Sequence, residues 1–229
     1  MDNAITVFLK TNYFVILYAL TLWVALVNYR KYYDSKLKYF PILIAYTLAT
    51  EILGWFILEY EEFQIVYRNL SREEAINNAS IYNIFDIIFY LYFYYVYWKS
   101  TDKIFLKKIM FYGAAVFIIV SIINVFFQNF WMLPQLYAVS TGSIILIIGI
   151  LMYLATLRKR GNPVRLRHNL LFWISLGLLL FYPFYPLFLI IGVHYSDLYS
   201  SFFGVIHRAL IAAMYSCFIV GFVFLKRFR

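Results

Sequence analysis

Gly142-Ser-Ile-Ile-Leu-Ile-Ile-Gly-Ile-Leu-Met-Tyr-Leu-Ala-Thr-Leu157, followed at once by Arg158-Lys159-Arg160, decides how this chain folds. The apolar run extends back to Met132, and a bilayer core about 30 Å thick is crossed by about 20 apolar residues in a helix. A helix is the form that satisfies every backbone donor and acceptor within one segment in lipid. The basic cluster behind it marks the end that stays in the cytoplasm.

Working outward, six further runs read the same way. The seven predicted spans are 11–29, 40–59, 80–98, 104–127, 132–157, 169–193 and 198–225. The first and third are short by hydropathy, and Tyr13, Tyr29 and Trp98 at their ends suit the headgroup level and lengthen them. Composition agrees: the 229 residues are 64% hydrophobic, 23% aromatic and 14% charged. A chain this small has too much surface per unit volume to hide that apolar fraction in one water-soluble core. A soluble enzyme or nucleic-acid module is thereby excluded.

The net charge of +9 is a topology signal. Of the 20 Lys and Arg residues, 16 fall on one side: on the loops after the first span, between the third and fourth, between the fifth and sixth, and after the seventh, with Lys107 and Lys108 just inside the start of the fourth span. Lys10, Arg68 and Arg72 fall on the other, with Asp2, Glu59, Glu61, Glu62, Glu73, Glu74 and Asp197. The expected fold is an all-α, single-domain seven-helix membrane bundle, N-terminus outside and C-terminus cytoplasmic, in a plasma or bacterial inner membrane. Asp2 and Lys10 do not make a signal-peptide n-region, so the first span is retained as a helix. The single cysteine, Cys217, allows no intrachain disulfide.

The longest loop, 60–79, contains Ser71-Arg72-Glu73-Glu74, a capping-box pattern that predicts a helix running into the third span. Asn69-Leu70-Ser71 and Asn78-Ala79-Ser80 have the letters of glycosylation sequons, matches short enough to arise by chance. The basic loops after the first and fifth spans resemble each other, as a three-plus-one-plus-three repeat would require, although topology alone produces basic loops.

Ionisable groups within a bilayer are costly, which makes Glu51, Asp86, His207 and Arg208 the informative residues. Counted from the outer ends of their spans at 1.5 Å per residue, Glu51, Asp86 and Arg208 lie roughly 12, 9 and 15 Å deep. In the third span Asn83, Asp86, Tyr90, Tyr94 and Tyr97 recur at steps of three and four, forming one stripe. Ser121, Asn124 and Gln128, then Gln135, add amides near the same level. Tyr182-Pro183-Phe184-Tyr185-Pro186 predicts a break in the sixth span, because each proline removes a donor and crowds the preceding turn. Glu51, Asn83, Asp86, Tyr90, Asn124, Gln135, Tyr182, Tyr185, His207 and Arg208 are therefore expected to line an outward-facing polar and aromatic ligand pocket. The competing expectation is that Arg208 pairs with Glu51 or Asp86 and the amides satisfy one another, purely to hold helices together.

The span count is similar to that of microbial rhodopsins, but a retinal lysine in the middle of the last span is missing, Lys226 being at its end. His168, His194 and His207 lie at three different levels, so a three-histidine zinc site of the membrane-hydrolase kind is not expected. Pro134-Gln135 carries the two letters of the proline-glutamine carriers and nothing more. No cofactor, metal or nucleic-acid partner is expected. The expected function is a receptor or sensor that binds a small-molecule or lipid ligand and signals through a cytoplasmic protein at the basic loops. The alternatives are a secondary transporter with a carboxylate proton or cation site, and a metal-free lipid-modifying enzyme using paired carboxylates as lysoplasmalogenase-type enzymes do.

Overall fold

The computed structural model describes residues 14–159 and 167–226. Among these residues the chain is all-helical, with nine helices of ten residues or more: α1 (Phe14–Val27), α2 (Phe40–Glu59), α3 (Glu61–Ser71), α4 (Ala79–Ser100), α5 (Ile104–Asn124), α6 (Leu136–Lys159), α7 (Leu170–Phe181), α8 (Tyr185–His194) and α9 (Gly204–Phe224). Six stretches are long and apolar enough to cross a membrane: α2, α4, α5, α6, α9, and α7 with α8 taken together. This makes the chain a multi-pass membrane protein by length and composition. The first predicted span is described only from Phe14, and its helix ends at Val27 before a 3-10 turn, Tyr29–Lys31. Lys10, Tyr13 and the basic residues Arg160, Arg165, Arg227 and Arg229 lie outside the described residues, as does much of the second loop of the proposed repeat.

The chain divides into two compact units, Met1–Leu48 with Ile150–Arg229, and Ala49–Gly149. In the first, α9 packs along α7 and α1. An added Cβ at Gly177 would stand 2.7 Å from the Met214 carbonyl oxygen, and one at Gly221 would stand 2.7 Å from Trp173 Cβ, so these glycines let the two backbones approach. On the α1 side Tyr18 meets Tyr215 with ring centroids 4.5 Å apart, and Phe40 sits against Phe218 at 5.4 Å. Tyr32 donates to the Ala25 carbonyl, closing the turn after α1.

The prolines break the sixth span where expected. α7 ends at Phe181, Tyr182–Phe184 form a turn, and α8 restarts with Pro186 in its first turn. The seventh span is less regular than its apolar run suggested. A single turn, Ser196–Leu198, leads into a π-helical segment, Tyr199–Phe203, before α9 begins. Arg208 therefore stands four residues into α9, roughly 6 Å along its axis.

In the second unit the stripe of α4 is packing surface. Tyr90 and Tyr94 reach across to α6, where Tyr94 donates to the Gly142 carbonyl at 2.8 Å and Tyr90 shares a 2.8 Å hydrogen bond with Ser143. Phe117 of α5 closes the cluster, edge-on to Tyr90 at 5.2 Å. Gly142 is required there, since a Cβ would lie 2.8 Å from the Tyr90 ring.

The capping-box expectation is corrected. Ser71 is the last residue of α3, not the first of a helix, and Arg72 closes α3 in the left-handed region at φ 59°. The Ser71 hydroxyl accepts from the Glu73 amide at 3.1 Å, a local turn that competes with the cap. α4 starts eight residues after Ser71, at Ala79. The serines of both sequons, Ser71 and Ser80, are buried.

Candidate functional site

The ten residues singled out from the sequence divide between the two units. Glu51, Asn83, Asp86, Tyr90, Asn124 and Gln135 belong to Ala49–Gly149; Tyr182, Tyr185, His207 and Arg208 belong to the other.

Within Ala49–Gly149, the amides form a clasp around the α5–α6 connection. Asn83 donates to the carbonyls of Phe130 at 2.8 Å and Leu133 at 3.0 Å, and its own oxygen accepts from the Gln135 amide at 3.1 Å. Gln128 accepts from the Leu136 amide at 2.8 Å, so side chains from outside the helix cap α6. The fourth and fifth predicted spans are correspondingly shorter: α5 stops at Asn124, and α6 starts only at Leu136. Asn124 donates to the side-chain oxygens of Gln128 and Gln135. Its own Oδ1 is buried with no hydrogen-bond partner.

Below this clasp lies a cavity of about 260 Å³. Asn83, Asp86, Ser121 and Gln135 supply its polar lining, and Ile87, Phe117, Ile118, Ile122, Val125, Phe130, Ala138 and Val139 the rest. Asp86 is 4% exposed, whereas Ile122 is 60% exposed, so one wall of the cavity is the outward surface of α5. For a membrane-spanning helix that surface faces lipid.

The wall of this cavity is almost wholly apolar, and the polar groups of the lining residues are engaged beside it. Both donors of Asn83 are held by carbonyls, the Gln135 side-chain nitrogen lies against the Gln128 and Leu133 carbonyls, and Ser121 donates to the Phe117 carbonyl. Asp86 is the ionisable residue among those that line it.

Glu51 does not line this cavity. Its Oε2 accepts from the Tyr82 hydroxyl at 2.8 Å, and Gly54, one turn along α2, leaves room for that ring: a Cβ there would stand 3.2 Å from the hydroxyl. Tyr82 was missed in the sequence. It stands one turn before Asp86, on the flank of the stripe, where its hydroxyl could have been placed.

In the other unit His207 is enclosed by rings. Phe188 stacks on it at 4.8 Å and Phe181 at 5.5 Å, both inclined by 20°, and Tyr185 lies at 6.2 Å. Tyr182, itself buried, contacts Phe181 and Tyr185. A 2.6 Å hydrogen bond joins His207 Nδ1 to the Tyr199 hydroxyl, which the π segment delivers. The structure thus brings His207 together with the proline break of the sixth span. Arg208 is half-buried beside the Tyr199 turn. Among the described residues, no three His, Cys, Asp or Glu side chains come together to hold a metal ion. Compared with protein-family models, curated proteins and solved structures, the chain matches none of them.

Proposed function

We propose that this is a receptor- or sensor-like membrane protein whose ligand is an amphiphile that enters the Asp86 cavity from the lipid. The observation that carries the reading is a buried carboxylate in a cavity with an exposed apolar wall on α5. Its volume of about 260 Å³ is below that of pockets enclosing a whole drug-sized ligand, which start at roughly 300 Å³. It suits one end of an elongated molecule, with the remainder lying along Ile118 and Ile122. Asp86, the ionisable residue at the cavity, would favour a head that donates, an ammonium or a hydroxyl, on a chain that fills the apolar wall.

The arrangement that goes with this reading is seven spans, with α1 as the first and the N-terminus outside. It is supported by the apolar character of α1 and by the 16 basic residues on one side. The exposed basic residues Arg30, Lys31, Lys103 and Arg158 would then meet a cytoplasmic partner. Paired-carboxylate chemistry is the weaker reading, since Glu51 is engaged by Tyr82 and does not line the cavity.

The test uses the purified full chain in detergent and three probes of equal chain length: dodecylamine, dodecanol and dodecyl sulfate at submicellar concentration. The amine raises the thermal midpoint most, the alcohol less, and the sulfate not at all; Asp86→Asn removes the preference for the amine. Equal shifts from all three probes, or an unchanged preference in Asp86→Asn, overturn the reading.

A further inference from the structure

Helix α3 has one apolar face that the protein does not cover. At 100° per residue Phe63, Val66 and Leu70 fall within an arc of roughly 60°. Val66 is 56% and Leu70 66% exposed. The neighbouring face carries Tyr67 and Ser71, both buried. Tyr67 donates to the Trp131 carbonyl at 2.7 Å and sets its ring edge-on to Trp131. The opposite face carries Glu61, Arg68 and Asn69, all exposed, with Ile65, 49% exposed, among them, and Glu62 borders Val66. The helix thus has three sides: one on the protein, one mainly polar and one apolar without a covering element.

The position of α3 identifies what covers the third side. Only Tyr60 separates it from α2, so it begins where a membrane-crossing helix ends. Two further hydrogen bonds tie the segment after α3 to the α5–α6 connection, Asn129 to Glu73 at 2.7 Å and Asn77 to the Met132 carbonyl at 3.2 Å. That connection exposes Phe126 and Phe127 at the same end of the unit.

We propose that α3 is an in-plane membrane anchor, with Phe63, Val66 and Leu70 inserted at the boundary between headgroups and acyl chains of a zwitterionic leaflet. Continuity with the lipid-facing surfaces of α2 and α5 supplies the lipid. The charge around α3, with Glu59, Glu61, Glu62, Glu73 and Glu74 against Arg68 and Arg72, gives no attraction to anionic headgroups, so the docking is apolar and insensitive to salt. It requires the bilayer placement of α2 and α4 and is independent of what the Asp86 cavity binds.

Nitroxide labels at Val66→Cys, Leu70→Cys, Glu61→Cys and Arg68→Cys, each with Cys217→Ala, test this in phosphatidylcholine vesicles. Collision rates with oxygen, which partitions into lipid, and with a water-soluble nickel chelate are compared. The ratio of oxygen to nickel accessibility is several-fold higher at 66 and 70 than at 61 and 68, and unchanged between low and high salt. Phe127→Cys gives the same lipid signature, and serves if a label on α3 prevents folding. Equal ratios at all sites overturn the proposal, as does protection from both reagents at 66 and 70, the result that a second copy or another protein on that face would give.

Discussion

Glu51 and Tyr82 show how one hydroxyl changes the reading of a carboxylate. A charge in the middle of α2 looks like a site until the 2.8 Å hydrogen bond from Tyr82 is seen. Removing that hydroxyl leaves the carboxylate without its donor, so Tyr82→Phe is expected to lower stability by ~1–3 kcal/mol. Glu51→Gln keeps an oxygen for Tyr82 and costs less; equal losses in thermal unfolding would contradict this assignment. Two glycines separate close packing from open space at the same scale. Gly142→Ala drives a methyl to 2.8 Å from the Tyr90 ring and is expected to cost ~1–3 kcal/mol through overpacking. At Gly192 the nearest atom is 3.7 Å away, so Ala there is neutral or slightly stabilising.

At the scale of elements, the sequence disclosed periods and breaks but not who caps whom. The stripe on α4 was legible because Asn83, Asp86, Tyr90 and Tyr94 keep helical spacing, and the break at Tyr182–Phe184 because proline chemistry is local. Ser71 misled because its hydroxyl has two local uses, a cap or a turn, and the left-handed Arg72 beside it decides for the turn. The amide clasp depends on residues about 50 positions apart, beyond any local pattern. Asn83→Leu strips three hydrogen bonds from the α5–α6 connection and is expected to destabilise more than Tyr82→Phe, measured under the same conditions. Burial raises the Tyr67 hydroxyl above its ordinary value, with the Glu73 charge adding to it. The folded state therefore keeps this proton where the unfolded chain begins to lose it. The stability advantage over Tyr67→Phe is full below about pH 10, the ordinary tyrosine value, and falls as pH rises through the higher value of the folded state. An advantage that grows with alkalinity would contradict the Tyr67–Trp131 latch.

At the scale of the molecule, hydropathy and charge were the strong signals. They yield long apolar helices without any contact being known. They did not show that the polar set divides between two units, nor that the cavity beside Asp86 has the lipid-facing wall of α5 as one side, because both are properties of packing. Entry of an amphiphile through that wall is read out by photolabelling. A dodecylamine analogue with a diazirine in its chain is irradiated with the full chain in phosphatidylcholine vesicles, and the adducts are mapped by mass spectrometry. The account predicts adducts concentrated at Ile118, Ile122, Val125 and Phe130 and lost in Asp86→Asn; labelling spread evenly over exposed apolar residues such as Trp23, Ile42 and Phe111, or unchanged by Asp86→Asn, would contradict it.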